Sequence, residues 1–186
     1  MSSRTFAREK QAAESIELPV IVAHQLRDDG AIPNNPELPL LIYKGALKLP
    51  EQRAAEAIEN LLERNNWGES WRNGVYPYHH FHSTAHEVLL VFSGSAKVQF
   101  GGERGITEML RAGDVVIIPA GVGHKNLASS QDFGVVGAYP EGQKWDMCYG
   151  KSRERPQADR NIARVEMPQA DPVYGAKGPL MQRWRV

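Results

Sequence analysis

From residue 75 to 139 the apolar positions come in short runs separated by turns. The runs are EVLLVF, AKVQF, ITEML, VVIIP and DFGVVGAY, and Ser93-Gly94, Gly101-Gly102, Ala112-Gly113-Asp114 and Ala120-Gly121-Val122-Gly123 stand between them. Several short runs at regular spacing, punctuated by glycine, predict an antiparallel sandwich or barrel. Within AKVQF, Val98 and Phe100 alternate with Lys97 and Gln99, so one face of that strand meets water. EVLLVF and VVIIP are apolar on both faces, as expected of strands buried between two sheets.

Upstream the period changes. PEQRAAEAIENLLERNN, about residues 50–66, places Ala54, Ala55, Ile58, Leu61 and Leu62 on one stripe of a helix. Pro50 suits a first turn, Glu51 and Arg64 match the dipole, and Asn65, Asn66 and Gly68 end the element. VIVAHQL at 20–26 and LLIY at 40–43 are further strand candidates, and the proline-rich AIPNNPELP between them is loop. Residues 1–16 are polar and read as a frayed helix or an arm. From Pro140 the chain holds five prolines and little periodicity, which predicts a long wrap around the barrel, with ARVEM as an added edge strand. The expected organisation is one domain over residues 1–186. It comprises an arm and helix to about 70, a barrel core over about 71–139, and the wrap over about 140–186.

Composition narrows the function classes. Twenty-two basic and twenty-two acidic residues balance to a formal charge of zero, so neither nucleic acid nor an acidic membrane is an expected partner. One cysteine, Cys148, allows no internal disulfide, which fits a reducing compartment. No secretory signal and no apolar run of about 18 residues is present, so a cytoplasmic protein is expected.

Four of the six histidines fall in HHFHSTAHE, residues 79–87. His80 and His82, two apart, share one face of a strand. Two imidazoles on a rigid strand make half of a transition-metal site, and Glu87 adds an anionic oxygen. A further nitrogen has to come from elsewhere. His124, in GDVVIIPAGVGHKN, is placed to supply it, because Pro119 ends the preceding strand and the glycines turn the chain. Strict alternation from His82 would instead put His86 on the ligand face, unless a turn or bulge at Ser83-Thr84-Ala85 shifts the parity. His79 alternates away from His80 and reads as exposed or supporting, and His24 as structural. Trp71, Tyr76 and Tyr78 flank the run and are candidates for the mouth of the site. Cys148 reads equally as a packed or a reactive thiol.

The spacings resemble the two motifs of the cupin superfamily. Gly74, His80, His82, Glu87 and Gly94 fit the first motif, and Gly113, Pro119, Gly121 and His124 fit the second. The second motif's final asparagine is missing: Ala128 stands there and Asn126 lies two residues earlier. PNNPELPLLIYKGAL, PAGVGHKN and GAYPEGQ are similar to the YjlB-like small cupins. The resemblance implies a mainly β double-stranded β-helix, or jelly roll, with a metal held by His80, His82, Glu87 and His124. It implies pairing of two barrels as a homodimer, and no particular reaction. Three imidazoles and a carboxylate suit Fe, Mn, Ni, Co or Zn and leave room for a small-molecule ligand or substrate. An enzyme and a non-catalytic binding or sensor module are both open at this point. No serine lies in a nucleophile-elbow pattern, and His86-Glu87 does not continue into a helical zinc motif because Leu90 follows.

Overall fold

The computed structural model describes residues 19–185; the reading of residues 1–16 as a helix or arm lies outside them. Among the described residues, nine strands form two antiparallel sheets. They are β1 (Val20–His24), β2 (Leu40–Lys44), β3 (Trp67–Asn73), β4 (Glu87–Ser93), β5 (Ser95–Phe100), β6 (Ile106–Arg111), β7 (Val115–Ile118), β8 (His124–Ser129) and β9 (Gly134–Pro140). The larger sheet runs β1-β2-β7-β4-β9-β3 and the smaller β6-β5-β8. Residues 80 and 81 extend the smaller sheet through bridges from His80 to His124 and from Phe81 to Cys148. The antiparallel double sheet is what the spacing of apolar runs predicts, and the mainly β jelly roll is what the family resemblance implies.

The central strands of the larger sheet, β2, β7, β4 and β9, are buried on both faces, but not between two sheets as expected. Leu40, Ile42, Leu89, Val91, Val116, Ile118 and Val135 face inward and pack on Ala96, Val98, Phe100 and Leu110 of the smaller sheet. Leu41, Tyr43, Val88, Leu90, Val115, Ile117 and Val136 face the other way, where helix α1 (Ala54–Arg64) and the C-terminal segment cover them. Ile58 and Leu62 come from the helix, Leu180 and Trp184 from the chain's end. The apolar runs of β4 and β7 are therefore continuous because a sheet lies on one side and a helix with the wrap on the other. Burying each of these side chains stabilises the fold by about 1.5–3 kcal/mol.

Three local expectations differ from the structure. The helix begins at Ala54, not Pro50, because Arg53 at its N-terminus takes a left-handed conformation with φ of 58°. Residues 67–73 form β3, a strand the sequence reading did not include. Its register slips between Gly68 and Trp71, and the slip breaks the alternation that would have marked it. ARVEM is not an edge strand; helix α2 (Gln157–Ile162) ends there, with Ala163 as its cap. The wrap is anchored by α3 (Pro179–Arg183) and by the buried Asp171, whose carboxylate accepts from Tyr43 Oη at 2.7 Å and from the amides of Val173, Tyr174 and Leu180.

Candidate metal centre

His80, His82 and His124 meet inside the barrel. Each offers a ring nitrogen lying within 4.8 Å of those of the other two, and all three side chains are buried. Two reciprocal backbone bonds, His80 N to His124 O at 3.3 Å and His124 N to His80 O at 3.0 Å, fix the first and third against each other. The turn before His124 is closed by Gly121, whose amide donates to His82 O at 2.8 Å. Gly121 has φ of 92°, and a Cβ there would meet Asn34 O at 2.6 Å, so only glycine fits.

Strand parity brings Glu87 to the cluster. It shares the inward face of β4 with Leu89 and Val91, whereas His86 shares the outward face with Val88. Glu87 Oε2 lies 3.2 Å from His124 Nε2 and 3.5 Å from His82 Nε2. His86 points away. Its Nδ1 accepts the Ala120 amide at 3.0 Å, and its ring lies 4.8 Å from that of Trp184. Alternation from His82 fails because residues 83–86 are not strand. His79 sits 3.1 Å from Glu103 and His24 2.9 Å from Glu108, so neither joins the cluster. Cys148 is buried beside Asp146, and burial pushes its thiol up to about 12; it is a packed thiol.

The histidine tautomers follow from their partners. His80 Nδ1 faces Tyr78 O at 3.2 Å, His124 Nδ1 faces Val122 O at 3.4 Å, and His82 Nδ1 faces Asp146 O. A carbonyl only accepts, so each Nδ1 carries a proton, and a ring that is neutral presents its lone pair at Nε2. Asp146 is itself held by the Ser83 amide, 2.6 Å from its Oδ1. Burial, with His124 nearby, pushes His80 down to about 3, so it is neutral at pH 7. Burial also disfavours charge on His82, but the Glu87 carboxylate outweighs it and holds the group above its ordinary value. At Glu87 the penalty of burial is overcome by His82 and His124, which hold the carboxyl well below the usual range. Glu87 Oε2 is nonetheless buried without a hydrogen bond of good geometry. A buried carboxylate oxygen is costly in that condition. Three imidazoles within reach of one another, with an anionic oxygen beside two of them, fit a divalent cation of borderline softness.

The other carboxylate oxygen is held by a residue the sequence reading missed. Tyr139 Oη donates to Glu87 Oε1 at 3.2 Å and accepts from Trp71 Nε1 at 3.1 Å. Tyr139 continues the inward face of β9 after Val135 and Gly137, so the alternation in DFGVVGAY was the available signal. Trp71 crosses β9 over Gly137, where a Cβ would lie 2.1 Å from its Cζ2. A cavity of about 210 Å³ opens on the cluster, lined by Trp71, Tyr76, Leu89, Tyr139 and Trp145 among others. Tyr78 does not line it but stacks on Tyr76 at 5.0 Å.

Comparison with known proteins places this geometry. The profile described as "Cupin domain" matches residues 71–133. Over 157 residues the chain is 46% identical to the uncharacterized protein YjlB of Bacillus subtilis, covering 84% of this chain and 92% of that protein. The chain belongs to the cupin family. Among solved structures, this cupin resembles acireductone dioxygenase from Bacillus anthracis, which has a cadmium ion in its active centre. The identity is 17% over 51% of this chain and 64% of that one, with a TM-score of 0.38. It also resembles dTDP-6-deoxy-D-glucose-3,5-epimerase from Legionella pneumophila, at 14% identity over 66% of this chain and 72% of that one, with a TM-score of 0.38. The chain spans only 21% of the length of the 11S globulin from Wrightia tinctoria, which it also matches. At TM-scores below 0.5, these likenesses support no conclusion about this chain. Among the described residues, no helix is long and apolar enough to cross a membrane.

Proposed function

We propose that this cupin holds one divalent metal ion per chain, of Fe, Mn, Ni, Co or Zn, through His80, His82, Glu87 and His124. We further propose that it acts as a metal-dependent enzyme on a small organic molecule. One observation carries the reading: three buried imidazoles with Nδ1 tied to backbone carbonyls cluster together, and two of them face a carboxylate oxygen that has no hydrogen bond of good geometry. The ion would supply Lewis-acid polarisation of a substrate oxygen or, if redox-active, activation of dioxygen. The protein's part is to fix the ligands, to hold Glu87 in place through Tyr139, and to enclose the reacting molecule in a cavity walled largely by aromatic side chains, where charge acts strongly. Four protein ligands leave an octahedral ion coordinatively open, whereas structural sites close their shell. On this reading the protein works as a single-domain homodimer in the cytoplasm. The pairing habit of cupin barrels supports the dimer, and the lone cysteine supports the compartment.

A second reading, a non-catalytic ligand-binding or metal-sensing module, draws on Tyr139. Burial and the adjacent Glu87 hold its hydroxyl strongly protonated, so it is a poor general acid or base. A folded His82→Ala variant separates the two. On the first reading it loses both the metal and the turnover found by screening Fe-, Mn-, Ni- and Zn-loaded wild type against phenolic, keto-acid and sugar substrates. Absence of turnover in every wild-type form, with a ligand bound tightly only by wild type, favours the second.

A further inference from the structure

We infer that the ligand of this cavity is a single-ring planar molecule, uncharged or singly charged, inserted between aromatic side chains with its polar edge toward the histidines. The inference rests on the metal reading above. The size comes from the cavity, about 210 Å³, set against the roughly 150 Å³ that encloses one benzene. A substituted six-membered ring fits, and a fused pair of rings does not.

Shape comes from the walls. Tyr76 stands edge-on to His80 at 5.2 Å, and Trp145 is edge-on to His82 at 5.6 Å and stacked with Tyr139 at 5.8 Å. Trp71 also lines the cavity, its indole N–H already given to the Tyr139 hydroxyl. Four aromatic side chains thus flank the path to the histidines, and their faces favour a flat π-system over a puckered polyol. Trp145 remains 45% exposed, which places a ring at the entrance that a ligand can cover.

Charge comes from what is missing. The one basic side chain among the lining residues is Arg72, and both edges of its guanidinium are taken by Glu59, at 2.7 and 2.6 Å. Beyond the net charge of about one that an ion at the histidines would offer, no lining cation is left for a phosphate or a second carboxylate, so a multiply charged anion would be buried only partly neutralised. A cationic ligand is disfavoured for the opposite reason, because an ion at the histidines leaves a net positive charge of about one facing it.

The test uses the full-length protein loaded with zinc, which does not oxidise phenols. Calorimetric titration compares catechol, 2,3-dihydroxynaphthalene, citrate and choline, with zinc content read by elemental analysis in the same samples. Catechol should bind at least about tenfold more tightly than the other three. Trp145→Ala should weaken catechol about three- to tenfold, in the range of a lost aromatic pair, with zinc content unchanged. Citrate, choline or the naphthalene binding as well as catechol overturns the inference, as does an unchanged catechol affinity in the variant. In those cases zinc uptake still stands and the metal centre survives. Failure of the wild type to take up zinc overturns the metal centre and this inference together.

Discussion

Tyr139→Phe removes a single oxygen, yet that oxygen joins Trp71 to the carboxylate of Glu87 through two hydrogen bonds of 3.1 and 3.2 Å. The ring can stay where it is, so packing is preserved and the effect is electrostatic. In the metal-free protein the lost bond to a buried carboxylate costs about 1.5–3 kcal/mol. The indole N–H of half-buried Trp71 has water within reach and adds little. A domain of this size melts about 2–4 °C lower per kcal/mol, so the metal-free variant should melt roughly 3–12 °C below wild type by calorimetry. In the loaded protein Glu87 loses the group that orients it, and losses of this kind weaken metal binding by about 10- to 100-fold. Competition against a chromophoric chelator measures that factor directly. A variant that binds metal within about twofold of wild type, and melts with it when metal-free, would refute the argument that Tyr139 holds Glu87 in place.

Other predictions follow from the same structure. Metal occupancy should fall with pH from above 6.5 downward, because the proton that Glu87 favours on His82 must leave for a metal to bind; occupancy flat to about pH 4 would remove the histidines as ligands. Metal-free protein should lose stability as pH falls below 6.5, since His80 and His86 are held neutral with values near 3 and the unfolded chain gains both protons. The loss is roughly 2 kcal/mol for each at pH 5, read by urea denaturation at several pH values. Trp67→Ala should cost about 3–5 kcal/mol, since Trp67 is 1% exposed and donates to Ala170 O at 2.9 Å. Light scattering at micromolar concentration should give the mass of a dimer, and monomer alone would contradict the proposed pairing.

Legibility in the sequence depended on how local the signal was. Strands β4, β5 and β7 were readable because their apolar positions repeat over four to seven residues with glycine at their ends. The start of α1 was not, because Pro50 fits a first turn and nothing in Glu51-Gln52-Arg53 announces the left-handed Arg53. Glu87 was favoured over His86 only by the resemblance to the cupin motif, whose spacing it fits. Its physical reason, that residues 83–86 leave the strand and β4 restarts at Glu87, is a property of the fold. Trp145 lies 58 residues beyond Glu87 in the chain, and no periodicity ties it to the histidines. It reaches them because Asp146, its neighbour, is clasped by Ser83 and receives His82 Nδ1 on its carbonyl.

The metal centre itself is tested most directly by anomalous diffraction from crystals of zinc-loaded protein. The account predicts one peak per chain, about 2.0–2.2 Å from a ring nitrogen of each of His80, His82 and His124 and from an oxygen of Glu87. No peak there, or a peak held by His86 in place of Glu87, would contradict it.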